Sequence, residues 1–448
     1  MSEVFSSITP LSKKEEISVK QIYAYLLKSW GYDVKLTLKE IHEESKFIGS
    51  ADANQCNSNN FQSSGLTEET RKTYFLARKN LHYLEGAPND TSLEETLNEK
   101  SSKTRSSKHF HHHVKVNKDI THHLLTKYNP EEMHSSFLNS LRNDTFDLNT
   151  MRYVVARDFH VENSLQMLIK CLDWRWNSHQ VDDWVYAGDA EIYWKGKKKE
   201  FIEAFKLNQA YLRGHDKENR PICVIHVQKH LRSNCPDHDF EHFICLIIEW
   251  FRLGFKPKEG VSKGSILFDM TGFGMKNADL AAVKFLASMF EANYPECLGM
   301  IWVHNAPWIF NAVWKIIKGW LDPVVASKIR FTKGEKDLGQ YIDSKYIPKA
   351  LGGSDTYKNE YLPPSKETDD RKPKDEEFGK FVEERDELVA KFMQSTINWI
   401  QAKDAQESAF YLKERDGIQN TLSSNYKKID PYIRTRGAFE RNGQLKVE

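Results

Sequence analysis

The 448-residue chain lacks features that mark several protein classes. No run of about 18 apolar residues occurs, so we expect no segment that crosses a membrane. The six cysteines contain no CxxC pair, which argues against a zinc site or a disulfide framework and favours reduced thiols. The first residues contain no apolar core of a secretory signal, so we expect a cytoplasmic protein. Lys+Arg 64 against Asp+Glu 63 gives a charge of +1, without the basic excess of a dedicated nucleic-acid binder.

Motifs of common enzyme chemistry are also missing. GFG at 272–274 lacks the GxGxxG spacing, and neither GxxxxGK[ST] nor GxSxG occurs. Asp269 follows an apolar segment, but a polar residue that orders the following turn is the more ordinary interpretation. We find no spacing typical of a catalytic triad, a metal site or paired carboxylates. The sequence therefore predicts a protein that is not an enzyme and holds no cofactor or metal.

The segment 98–118 is basic and rich in histidine, with His109, His111, His112 and His113 close together. Consecutive histidines do not share one helical face, and no acidic residue stands near them. A solvated loop is the favoured interpretation, and attraction to anionic lipid is a weaker alternative because several Lys and Arg accompany the histidines.

Short apolar segments alternate with helical patterns between residues 220 and 332. The segments that predict strands are 220–227, 265–270, 298–307 and 328–332. Helical spacing is found at 240–254, after the turn at 271–274, and at 308–321. Because the strand segments are apolar throughout rather than alternating, we expect a parallel sheet covered on both faces.

Helical patterns also flank this region. Residues 17–30 form a short amphipathic helix that must pack on another element, and 131–179 shows further helical spacing. Residues 354–380 are rich in Lys, Asp, Glu and Pro, which indicates an exposed linker. The pattern from Phe381 to Ile400 predicts a long amphipathic helix, and we expect the last stretch, 426–447, to be an irregular tail.

The helix predicted at 308–321 is apolar around nearly its whole circumference. One interpretation is a helix that is buried on every side. The other is a helix with one face on the core and one face toward a lipid cavity or a membrane. Its three tryptophans favour the second interpretation slightly, since Trp prefers sites with one wet and one apolar side.

Five sequence blocks carry a family resemblance. They are, in order, RPICVIHV, LFDMTGFG, NYPECLGMIWVHNAPWIFNAVW, WLDPVVASKI and IPKALGG. Together they resemble the CRAL-TRIO lipid-binding fold, and most closely the yeast phosphatidylinositol-transfer proteins of the secretory-pathway family. The preceding MRYVVARDFHV looks like that family's N-terminal helical module. The N-terminal helix and the tail DPYIRTRGAFERNG are similar to a subgroup other than the founding member.

The resemblance implies an α/β domain whose mostly parallel sheet is flanked by helices and encloses an apolar pocket. An all-α N-terminal module precedes this domain and a long C-terminal helix follows it. The predicted divisions are an N-terminal amphipathic helix region (1–45), a helical and low-complexity linker (46–124), the N-terminal helical module (125–200), the lipid-binding domain (201–354), a charged linker (355–380), and the C-terminal helix and tail (381–448).

The resemblance also carries site residues. Arg157 and Lys328 match the family's headgroup arginine and lysine, which suit an inositol phosphodiester. The helix at 308–321 matches the mobile helix that gates the pocket. The residues expected in the pocket or its gate are Trp308, Phe310, Val313, Trp314, Ile317, Leu321, Phe285, Cys223 and Ile266.

Several positions depart from the family's pattern. Asp158 follows the arginine where a basic residue is usual, Phe285 takes the place of a headgroup glutamate, and Val325 replaces a threonine. The hydroxyl groups of the phosphatidylcholine site are missing, because Cys223, Gly264 and Ile266 take their places. These changes predict a more apolar pocket.

The resemblance implies a phosphatidylinositol-binding protein that exchanges a phospholipid between membranes. The alternative is a sensor or scaffold that binds a neutral hydrophobic molecule such as a sterol or an isoprenoid. The expected partners are phosphatidylinositol, a second hydrophobic lipid as a further ligand, and transiently a membrane surface, with no nucleic acid. We expect a monomer in the cytoplasm, associating with endomembranes, lipid droplets or endosomes.

Overall fold

A computed structural model describes residues 11–52, 55–63, 65–85 and 122–447. The histidine cluster at 109–113 lies outside the described residues. The described chain forms two compact units. Unit 1 contains the described residues before 86, together with 122–182 and 372–433, and unit 2 contains 183–371 and 434–447. The chain changes unit after Asp182, Arg371 and Ile433, which are not the division points that the sequence predicts.

Unit 1 consists of helices in its described part. Their bounds are Lys13–Ser29, Leu38–His42, Glu68–Arg78, His82–Glu85, Pro130–Leu141, Phe146–Val155, Val161–Asp173, Glu376–Ile400 and Ala405–Ile433. Among the described residues of the whole chain, none of the helices is long and apolar enough to cross a bilayer.

The N-terminal helix Lys13–Ser29 begins at a capping box in which Ser12 and Glu15 bond each other's backbone. It is buried on nearly all sides, including its polar residues. The Lys20 ammonium lies 3.4 Å from Glu16 and donates to the Ser408 hydroxyl at 2.6 Å, while Trp399 donates its indole N–H to Glu16. The helix that its sequence pattern predicts as amphipathic is therefore a core element of unit 1.

The C-terminal part differs from the expected single helix and irregular tail. A 25-residue helix, Glu376–Ile400, packs against a second helix of 29 residues, Ala405–Ile433. The second helix buries polar side chains such as Gln419 and Asn425, which are fully covered. Its buried face thus has no continuous apolar stripe, and the expectation of an irregular tail is wrong for 426–433, which belong to this helix.

Unit 2 contains a five-stranded sheet. The strands are β1 (Ala210–His215), β2 (Pro221–His226), β3 (Gly264–Asp269), β4 (Leu298–His304) and β5 (Ile329–Thr332). They are ordered β1-β2-β3-β4-β5, with β1 antiparallel to β2 and the other neighbours parallel. The predicted α/β fold with a mostly parallel sheet is confirmed. Strand β1 has no counterpart in the prediction, because Arg213, Gly214 and His215 break its apolar pattern.

Helices surround this sheet. Their bounds are Val181–Lys195, Lys199–Lys206, Asp237–Leu253, Leu280–Ser288, Phe310–Lys318, Pro323–Ser327, Gly334–Leu338, Lys366–Asp369 and Ala438–Arg441. The first of these starts in unit 1 and is interrupted at Gly188, whose φ of 59° is not helical.

The charged segment expected to be a linker is attached to unit 2 through residue 371. Asp355 accepts a hydrogen bond from Arg213 at 2.7 Å, and the Tyr361 hydroxyl donates to Asp189 at 2.9 Å. The Arg371 guanidinium lies 2.6 Å from Glu191. Residues 355–371 are therefore held on the unit by specific polar contacts.

Substitution of Arg415 tests whether its buried polar contacts stabilise unit 1. Its guanidinium is fully buried, donates to Asp147 at 2.6 Å and Thr396 at 2.9 Å, and lies over the Trp399 ring. Replacing Arg415 with Met leaves a buried carboxylate without its cation, so we expect the free energy of unfolding to fall by about 3 kcal/mol.

Urea unfolding measures this change. Lys427→Met, at an exposed position of the same helix, is the matched control and should alter stability by less than about 0.5 kcal/mol. Equal unfolding midpoints for the two variants would contradict the assignment.

Candidate lipid-binding cavity

Unit 2 contains a cavity lined almost entirely by aliphatic and aromatic side chains. The cavity volume is about 230 Å³, counted as the space that the centre of a water-sized sphere can occupy. Its walls come from strands β2–β4 and from the helices Asp237–Leu253, Leu280–Ser288 and Phe310–Lys318. The polar lining residues with acid, amide or imidazole groups are Gln209, His226, His230, Asn277 and Asp279.

The sheet gives one of its faces to this cavity. Cys223 pairs with Ile266, which in turn pairs with Ile301, so these three side chains form a row across β2, β3 and β4. Ser265 points to the opposite face, where its hydroxyl donates to Asp216 at 2.8 Å. The Cys223 thiol is buried, and burial raises its pKa to about 12, so it lines the cavity as a neutral group.

The helix Phe310–Lys318 has two apolar faces with different surroundings. Phe310, Val313, Trp314 and Ile317 line the cavity at helical spacing, and Leu321 continues this face. The opposite side is exposed, with Ile316 at 46% and Trp320 at 41%. The helix is therefore not buried on every side, and its inner face belongs to the cavity.

Two residues expected in the pocket or gate do not line the cavity. Trp308 precedes the helix and is 84% exposed. Phe285 lies on the helix Leu280–Ser288, whose residues that line the cavity are Leu280, Ala282, Val283, Leu286 and Ala287. Phe285 is one position away from Leu286, and a rotation of about 100° per residue turns its side chain to another face.

Lys328 lies at the C-terminal end of the short helix Pro323–Ser327, just before β5. Its side chain is half-buried, and neighbouring residues Val325 and Ile329 line the cavity. Burial lowers the pKa of Lys328, opposed by Glu296, while Lys263 lowers it further. Within the described part of the chain, the ammonium has no hydrogen bond and no ion pair within 4 Å, so its charge is available to an anion.

Arg157 lies on the turn that ends the helix Phe146–Val155. The turn contains two residues with left-handed backbone, Asp158 at φ 48° and Phe159 at φ 59°. The Arg157 side chain is exposed and donates only to the Ala156 carbonyl, at 2.8 Å, among the described residues. Arg157 belongs to unit 1 and Lys328 to unit 2, so the two predicted headgroup residues lie in separate units.

A polar cluster at the carboxyl ends of β2 and β3 was not expected from the sequence. His226 Nδ1 lies 2.9 Å from Asp269 Oδ2, and His230 Nε2 lies 3.0 Å from Asp279 Oδ2. Asp269 also accepts the Thr271 backbone N–H at 3.0 Å, so it orders the turn as predicted. The signal in the sequence is the spacing of His226 and His230 after one strand, with an aspartate at the end of the next.

Comparison with known proteins shows which family has this architecture. Residues 206–353 match the CRAL/TRIO domain. The phosphatidylinositol transfer protein CSR1 of Eremothecium gossypii is 34% identical over 447 residues, which cover 98% of each chain. The chain belongs to the CRAL/TRIO family. A CRAL-TRIO domain-containing protein of Schizosaccharomyces pombe is 30% identical over 97% of this chain and 91% of its own. The crystal structure of Sfh5 overlaps 49% of this chain and 75% of its own, with 18% identity and a TM-score of 0.39.

One departure from the CRAL/TRIO pattern has a steric reason. A Cβ atom added to Gly264 would lie 2.1 Å from Cζ of Phe251, which lines the cavity. The aromatic ring thus occupies the space that any side chain larger than glycine would need at this position. Since no hydroxyl is present there, this part of the wall is hydrocarbon.

We expect Gly264→Ala to lower the free energy of unfolding by about 1–3 kcal/mol, because the methyl group overlaps the Phe251 ring. Thermal unfolding measures the change. Adding Phe251→Leu should recover part of the loss. The control Gly379→Ala, on an exposed helix position with no atom within 4 Å, should gain about 0.5–1 kcal/mol. Unchanged stability of Gly264→Ala would contradict the steric account.

Proposed function

We propose that this chain binds phosphatidylinositol and carries it between membranes, with the acyl chains in the cavity of unit 2. The observation that carries the proposal is the apolar cavity closed on one side by the helix Phe310–Lys318. A relative that matches 98% of the chain and is named a phosphatidylinositol transfer protein supports the choice of ligand. The proposed activity is that of a carrier and involves no catalysis.

The cavity suits acyl chains for a simple energetic reason. Each CH₂ group that moves from water into an apolar site gains about 0.8 kcal/mol, so a two-chain lipid does not leave for water at a useful rate. Exchange therefore requires that the cavity open at a bilayer. The helix Phe310–Lys318 is the proposed gate, since its inner face forms part of the cavity wall and its outer face is free among the described residues.

The cationic side chains are the proposed contacts of the inositol phosphate. Lys328 supports this role best, because its half-buried ammonium has no protein anion bonded to it within the described residues. A phosphate there would offset the cost of keeping the charge away from water. Arg157 would supply a planar, bidentate contact.

The outer face of the gate is the proposed membrane contact. Trp308 is 84% exposed, and Ile316, Trp320 and Val324 are each more than 40% exposed. Exposed tryptophans favour the bilayer interface, and the exposed Lys315 near them adds attraction to anionic lipid. We propose a cytoplasmic monomer that touches endomembranes, lipid droplets or endosomes transiently during exchange.

Lys328→Ala tests the headgroup contact. We expect phosphatidylinositol transfer between vesicles to fall about tenfold, because a charge-assisted hydrogen bond to the phosphate is lost. Loading with diacylglycerol, which has no phosphate, should be unchanged. The variant should not lose stability, since it removes a half-buried charge.

Lys358→Ala, at an exposed position of unit 2, is the matched control and should transfer phosphatidylinositol normally. Adding Arg157→Ala to Lys328→Ala should reduce transfer further. Normal transfer by the folded double variant would rule out the headgroup assignment.

A variant with both Trp308→Ala and Trp320→Ala tests the membrane contact. We expect vesicle binding and transfer to fall about tenfold while the lipid already bound is retained, because neither tryptophan lines the cavity. Vesicle co-sedimentation measures binding. Leu362→Ala, at an apolar position of unit 2 that is 44% exposed, is the control. Equal binding by the variant and the control would refute this contact surface.

A further inference from the structure

The polar residues of the cavity form one connected cluster. His226 is the last residue of β2 and pairs in register with Asp269, the last residue of β3. The His226 backbone N–H donates to the Gln209 carbonyl at 2.9 Å. Asn277 donates to the carbonyls of Gln228 and His230, both at 2.9 Å. These bonds hold four of the cavity's polar lining residues, Gln209, His226, His230 and Asn277, at one end of the sheet.

The ring of His226 is fixed by a carboxylate. Burial alone would raise the pKa of Asp269, but the hydrogen bonds from His226 and Thr271 outweigh it and hold the pKa below its usual value. Asp269 is thus an ionised acceptor, and the proton shared with it resides on His226 Nδ1. When the ring is neutral, its lone pair is then on Nε2, and this atom has no hydrogen-bond partner among the described residues.

The atoms around His226 are acceptors as well. His230 bonds Asp279 through Nε2, and its buried Nδ1 has no partner in the described part of the chain. Gln209 donates through Nε2 to the Lys229 carbonyl, and its buried Oε1 is also without a partner there. The amide hydrogens of Asn277 are both engaged. The cluster therefore offers unused acceptors, while both amide hydrogens of Asn277 and one amide hydrogen of Gln209 are already bonded.

We propose that this cluster selects a lipid alcohol, an otherwise apolar molecule whose hydroxyl group donates a hydrogen bond to His226 Nε2. The inference rests on the proposed lipid-carrying function and names a second class of cargo for the same cavity. Sterols and long-chain prenyl alcohols share the required chemistry. A ketone, ether or ester of the same skeleton can only accept, so its oxygen would meet the lone pairs of the cluster and leave them unpaired.

The cluster is chemically distinct from the place proposed for the phosphate. Lys328 offers a cation to an anion, whereas His226 and its neighbours offer lone pairs to a neutral donor. The hydrocarbon wall between polar groups binds any apolar skeleton without directional contacts. One cavity can thus distinguish its ligands by the hydrogen-bonding character of their single polar end.

The experiment measures competition binding of matched ligands to the full chain. The probes are cholesterol, its 3-methyl ether and cholest-4-en-3-one, and separately geranylgeraniol and its methyl ether. We expect each alcohol to bind at least about tenfold more tightly than its matched ether or ketone, which corresponds to about 1.4 kcal/mol at 25 °C. The comparison of sterol with prenyl alcohol identifies which skeleton the cavity takes.

His226→Phe keeps a ring of similar size and removes the acceptor. It should lower alcohol binding to the level of the ether. Ile225→Ala, at the neighbouring lining residue, is the matched control and should weaken alcohol and ether equally. A preference for the alcohol that disappears in His226→Phe supports the inference.

Three results would each overturn the inference. The unaltered chain could bind alcohol and ether equally, it could fail to bind either alcohol, or its preference for the alcohol could survive in His226→Phe. The ligand comparison in the unaltered chain does not depend on whether the variant folds. Phosphatidylinositol transfer, measured on the same preparation, reports on the proposed function separately. Normal transfer without alcohol selectivity would reject this inference alone.

Discussion

The apolar cavity of unit 2 must stay open, although an empty space in an apolar core lowers the stability of a domain. Unit 2 meets this constraint by giving one face of a parallel sheet to the cavity and closing the remaining sides with helices. The row formed by Cys223, Ile266 and Ile301 is rigid because each residue belongs to a hydrogen-bonded strand. The helix Phe310–Lys318 is packed against the cavity on one side and exposed on the other, which is why we propose it as the gate.

Polar groups are arranged so that they do not disturb this wall. Ser265 turns to the opposite face of the sheet and bonds Asp216, and Phe251 covers the position of Gly264. The polar groups that do reach the cavity are held by hydrogen bonds at the carboxyl ends of the strands, as His226 is by Asp269. In the ligand selection that we propose, the non-directional hydrocarbon surface provides affinity and a few fixed polar atoms provide discrimination.

Much of unit 2 could be predicted because its elements have the simple periodicities of buried strands and helices. Strands β2–β5 and the cavity-facing side of the helix Phe310–Lys318 follow from such patterns and from the family resemblance. Phe285 is not among the residues that line the cavity, and a motif match does not specify which face of a helix a side chain takes. The helix Ala405–Ile433 was missed because its buried contacts include polar groups, of which the Arg415 ion pair is one.

The order of the chain through the two units has a consequence for folding during synthesis. Unit 2 is continuous from residue 183 to 371 but is completed by 434–447, which follow two long helices of unit 1. Gln444 accepts the Leu212 N–H at 2.8 Å, and Arg441 is paired with buried Asp189. On the ribosome, neither unit can be completed until residues beyond 400 have emerged. The parts of unit 2 that contact residues 434–447, such as Leu212 and Asp189, therefore wait uncovered until that segment has emerged.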